Sequence, residues 1–142
     1  MHATDFSRAS TAALKRAVAM AKADRARLIV AHVMTPPSLV LPGEGYISPS
    51  LYESLEASTR AQAQKRLNAI VAGAKKAGAR ASGLLLEGVP SERVARAARA
   101  KKADLLVIGT HGRTGLAKLF LGSVATRLVA GASCPVLTVR GR

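Results

Sequence analysis

The residues whose types and spacing could do chemistry lie in one stretch, from Gly109 to Ser123, with glycines at 109, 112, 115 and 122. Glycine allows positive φ and lets a backbone approach a ligand closely. Successive unpaired N–H groups in such a stretch form a nest for an anion. Gly122 and Ser123 stand where a helical pattern begins, so the helix N–H groups and dipole there could hold a phosphate, with the Ser123 hydroxyl as a further donor. The plainer reading is that the glycines only make a tight strand-to-helix turn. Within the loop, Arg113 could grip a phosphate with two parallel hydrogen bonds or simply be solvated. His111 could touch a phosphate or be a neutral turn histidine. Other phosphate signatures are absent: no Gly-x-x-x-x-Gly-Lys-Ser/Thr occurs, and no Gly-x-Gly-x-x-Gly follows a strand.

The elements that must position this loop read as alternating strands and helices. Apolar runs of strand length lie at 28–34, 84–86, 104–109 and 135–139, and they are continuous rather than alternating. That pattern suits strands buried on both faces, as in a parallel sheet. Between them lie helical stripes: Leu14, Ala17, Val18 and Ala21; Leu51, Leu55, Ala63, Leu67, Ile70, Ala74 and Ala77; Val94, Ala97 and Ala98; and Val124, Leu128 and Val129. Ser50 and Glu53 have capping-box spacing ahead of the second stripe, and Pro90 opens the third. The order predicts βαβ crossovers and a doubly wound, mostly parallel α/β sheet with helices on both faces. The long segment from Thr35 to Pro49, rich in Pro and Gly, follows a strand on the edge where such sheets bind ligands. His32, within a strand, reads as a packed residue rather than a ligand.

Composition narrows the function. The 142 residues suit one domain, 1–142. Apolar residues make up 49%, which speaks against disorder, and aromatics only 3%, which argues against base-stacking readers of single strands. The single cysteine, Cys134, excludes a disulfide framework and a cysteine zinc site. It fits a reducing compartment. With no signal-like N-terminus and no membrane-length apolar run, the expected location is the cytoplasm, with no membrane contact. The net charge of +14 calls for a polyanion partner or a strongly solvated surface.

The spacing Gly109-x2-Gly112-x9-Gly122-Ser123 resembles the nucleotide-binding signature of the ATP-binding branch of the universal stress protein family. The flanks agree: Ala103 and Asp104 before it, Ser133 to Val139 after it, Thr4 to Ser7 at the start, and Glu87-Gly88-x-Pro90 between. The resemblance spans nearly the whole chain. It implies a five-stranded sheet of the adenine-nucleotide hydrolase type and ATP as the ligand, which a divalent cation such as Mg2+ can accompany. It further implies Asp5 at the ribose hydroxyls and the Val33 backbone at adenine. Ile108 and Gly109 would flank ribose and phosphates. Gly112, Gly122, Ser123 and the Val124 amide would hold the phosphates, with His111 and Arg113 alongside. The plainer reading of Asp5 is a cap of the following helix, and it could do both.

Such proteins commonly form homodimers by pairing their last strands, here Pro135 to Arg140, and act as stress-response sensors or regulators. With no paired carboxylates, no catalytic role is assigned and any ATPase should be slow. Only Met1, His2 and Ala3 precede Thr4, so the first strand is expected to be truncated relative to the family. The alternative is a basic α/β module that binds nucleic acid or an acidic protein without nucleotide. It rests on Lys15, Arg16, Lys22, Arg25 and Arg27 early, and Arg93, Arg96, Arg99, Lys101 and Lys102 late.

Overall fold

The computed structural model describes residues 1–35, 40–41, 45–46, 48–110 and 121–141. Its centre is a five-stranded sheet built from β1 (His2–Thr4), β2 (Arg27–Met34), β5 (Arg80–Glu87), β6 (Leu106–Gly109) and β7 (Val136–Val139). The spatial order is β5-β2-β1-β6-β7, and every pairing is parallel. The chain thus steps outward from β1 to one edge and then returns across it to the other. That reversal opens a crevice beyond the carboxyl ends of β1 and β6.

The first strand is as short as the sequence suggests. It still fills the centre, in register with Val30, Ala31 and His32 of β2. Met1 extends its ladder with β6, donating from its nitrogen to the Leu105 carbonyl at 2.7 Å and accepting from the Val107 N–H at 2.9 Å.

Two helices cover each face. On one side α1 (Arg8–Ala23) and α2 (Pro49–Lys76) pack on Leu28, Val30, Ala81 and Val107. Helix α1 buries Ala13, Ala17 and Ala21, residues four apart and small enough to let it close on the sheet. Helix α2 drives the fully buried Leu67 into the same cluster. On the other side α3 (Pro90–Ala100) and α4 (Ser123–Gly131) pack Val94, Ala125 and Leu128 against Leu106 and Ile108.

Several sequence expectations shift. Helix α2 starts at Pro49 and is capped by Ser48, whose hydroxyl accepts from the Leu51 N–H at 3.3 Å; the Ser50–Glu53 box is not used. The start of its predicted apolar stripe is exposed at Leu51 and Leu55, and the buried residues of α2 begin at Ala63. In α4 only Ala125 and Leu128 face the core, while Val124 and Val129 are exposed. The segment predicted as irregular carries a two-stranded antiparallel ladder, β3 (Val40–Leu41) with β4 (Gly45–Tyr46). The 84–86 run is the end of an eight-residue strand, whose first half escapes the apolar signal because Arg80, Ser82 and Gly83 interrupt it.

Candidate functional site

A cleft of about 580 Å³ opens at the carboxyl ends of β1, β2 and β6. That size falls within the range of small-molecule sites. Its walls come from the turn after β1, the first turn of α1, the end of β2, the middle of α2, the first turns of α3, the end of β6 and the first turn of α4. Seven of the ten sequence-predicted site residues line it: Asp5, Val33, Ile108, Gly109, Gly122, Ser123 and Val124. The other three, His111, Gly112 and Arg113, lie outside the described residues.

The turn after β1 is fixed by its own side chains. The Thr4 hydroxyl accepts from the Phe6 N–H at 3.1 Å and bonds the Ser10 hydroxyl. The Asp5 Oδ1 accepts from the Ser7 N–H at 3.0 Å. Ser7, not Asp5, caps α1, accepting from the Ser10 N–H at 3.2 Å. So Asp5 shapes the turn, and it also lines the cleft.

Phe6 takes a left-handed backbone, φ +66°, which costs a non-glycine residue about 1 kcal/mol. Its ring lies 4.1 Å from the His32 ring, and the Arg66 guanidinium lies 4.2 Å from its centroid. His32 is buried and donates from Nδ1–H to the Thr4 carbonyl at 2.8 Å, since a carbonyl can only accept. His32 is thus the packed residue expected, and it also lines the cleft. Sequence reasoning missed Thr59, Gln62 and Arg66, which α2 presents to the cleft at spacings of three and four. That periodicity was the available signal.

At the opposite wall, Gly122 is the N-cap of α4 in extended conformation, φ −61° and ψ 153°, with no side-chain cap. Its N–H donates to the Thr110 carbonyl at 2.8 Å, so it is not a spare donor. The N–H groups of Ser123, Val124 and Ala125 occupy the first turn, where no intrahelical acceptor exists. All three residues line the cleft. A helix N-terminus aimed at a cleft favours an anion.

Gly109 has a different explanation from the one its motif suggests. A Cβ there would stand 2.9 Å from the Ala9 carbonyl carbon and 3.0 Å from the Ser10 nitrogen. The glycine is needed to seat the start of α1 against the end of β6. Gly141 does the same after β7, where a Cβ would stand 2.7 Å from the Ala9 Cα.

An α/β sheet of this order, with a crevice at the strand reversal, defines the doubly wound class of proteins, which take their ligands at that crevice. The chain belongs to the universal stress protein family, whose model matches residues 1–140. It is 41% identical over 130 residues to a universal stress protein of Thermus aquaticus, covering 89% of each chain. Among solved structures it resembles a universal stress protein in complex with cAMP, at 28% identity and TM-score 0.72, covering 99% of this chain and 94% of that one. It also resembles the universal stress protein of Archaeoglobus fulgidus in complex with dAMP, at 25% identity and TM-score 0.62, covering 97% and 94%. No helix among the described residues is long and apolar enough to cross a membrane.

Proposed function

We propose that this protein binds ATP in the cleft and acts as a homodimeric stress-response sensor or regulator. The observation that carries the reading is the uncapped N-terminus of α4 opening into the cleft. Three first-turn N–H groups face a space of nucleotide size, and anions are stabilised there by both hydrogen bonds and dipole. The cAMP and dAMP bound by two relatives of the same fold support an adenine nucleotide as the ligand class.

In this reading the Ser123 and Val124 amides hold phosphates, and Gly122 sets the backbone that presents them. Ile108 and Gly109 flank the ribose and phosphates, Asp5 accepts from the ribose hydroxyls, and the Val33 backbone meets adenine. His111, Gly112 and Arg113 complete the loop, and a divalent cation such as Mg2+ can accompany the triphosphate. The role is binding rather than turnover: Asp5 is the one carboxylate among the described lining residues, and slow hydrolysis at most is expected. Residues 1–142 act as one domain. Dimerisation runs through 135–140, because β7 is an edge strand whose outer ladder is suited to a second copy.

Isothermal titration tests the reading. ATP should bind one per chain. Gly122→Val, which sets a branched side chain beside the Ser123 and Val124 N–H groups, should weaken binding by about tenfold or more. No binding at millimolar ATP, or equal affinity in the variant, would sink it.

A further inference from the structure

At the end of the molecule opposite the cleft, α1 and α2 finish side by side and β2 and β5 begin. Residues 22–27 and 75–80 carry six cations, Lys22, Arg25, Arg27, Lys75, Lys76 and Arg80, against one carboxylate, Asp24. A hollow of about 290 Å³ lies there, lined by Ala21, Lys22, Arg25, Ala26, Gly78 and Arg80. The only ion pairs among the described residues belong to Arg60, so none of these six cations is paired.

Three features make this more than a solvated rim. Arg27 and Arg80 are direct register partners in the β2–β5 ladder, and like charges placed opposite each other are destabilising. Arg25 occupies the left-handed position after the α1 cap, φ +52°, where glycine is preferred and a longer residue is strained. The matching position after α2 is Gly78, φ +91°, and the Lys22 stem lies against it, with its Cε 3.4 Å from where a Cβ would stand. Arg80 donates to the Arg25 carbonyl, which draws its guanidinium to the hollow. The two helix C-termini offer about half a negative charge each, enough to offset roughly one cation of the six.

We infer that this hollow is a second anion site, separate from the nucleotide cleft, that takes a short run of phosphates. The three lining cations supply donors of both kinds, a point-charge ammonium and two guanidinium forks that match phosphate oxygens. The volume suits a few phosphate groups rather than the backbone of a duplex. The source is either a free polyphosphate or the phosphate tail of a nucleotide. The inference does not depend on what the cleft binds.

The test is a titration of 15N-labelled protein with sodium tripolyphosphate in about 50 mM salt, where surface charges are only partly screened. Amides in 22–27 and 75–80 should shift saturably, and Arg25→Gly, which suits the left-handed turn, should weaken that response about tenfold. Adding Arg80→Gln should abolish it while leaving the response of Ser123 to Ala125 unchanged. A parallel titration with ADP separates the sources: shifts at the hollow with both ligands mean that a nucleotide tail suffices, and shifts with tripolyphosphate alone mean a free chain. The inference is overturned if tripolyphosphate moves only amides around Gly122 to Ala125, if the hollow responds equally in both variants, or if only a DNA duplex moves it.

Discussion

His2 is held neutral by the fold. Its side chain is fully buried in the central strand, its Nδ1–H donates to the Val107 carbonyl at 2.9 Å, and its Nε2 has no partner among the described residues. Burial is the main cause that pushes its pKa down to about 4; the Val107 bond opposes the shift. The unfolded chain therefore takes up a proton at higher pH than the folded one. The His2 contribution to stability is complete above about pH 6.5 and is lost as pH falls toward 4, a change of about 3 kcal/mol. Urea unfolding at pH 7.5 and pH 4 should show this loss, and His2→Leu should remove most of it; an equal loss in the variant would refute the assignment. Arg25 carries a second residue-level prediction. Arg25→Gly should raise stability by about 1 kcal/mol in thermal or urea unfolding, because it relieves a left-handed non-glycine residue.

At the scale of elements, the start of α1 is wedged between Gly109 at the end of β6 and Gly141, two residues past β7. Gly109→Ala should cost about 1–3 kcal/mol, since the new carbon meets backbone that cannot rotate away. Gly83 plays a milder part: a Cβ there would meet the Leu67 side chain at 3.2 Å. Leu67→Ala would empty the space beneath α2 at a cost of about 2–5 kcal/mol, readable as a lower urea midpoint.

The elements legible in the sequence were those with a strong local signature. The apolar strands, the glycine-spaced loop edge and Pro90 at the start of α3 all follow from short-range rules. The illegible parts depend on what lies across the fold. Ser48 rather than Ser50 caps α2 because the helix begins two residues earlier than the box implies. Val124 and Val129 look like core, yet α4 is covered on one side only. Arg66 joins the cleft through Phe6, sixty residues away, and its type gave no hint of that. The motif points to Gly109 as a cleft residue, but its second part, seating α1 closely against β6, depends on Ala9 and Ser10 across the fold.

At the scale of the whole molecule, the charge and the cleft are separate features. Among the described lining residues of the cleft, Arg66 is the one cation, while six cations gather at the opposite end. The proposed nucleotide site therefore rests on the N-terminus of α4 and not on the +14 charge. If ATP binds the folded state alone, saturation at a hundred times Kd should add about 2.7 kcal/mol of stability. The most direct test of the central claim is titration of ATP into the wild type and Ser123→Pro. Proline is tolerated at the first helical position, and the extended Gly122 before it suits proline, so the helix stays intact while one N–H is lost. The account predicts ATP binding to the wild type and about 10- to 100-fold weaker binding to the folded variant. Equal affinity in the two proteins, or no binding to either, would contradict it.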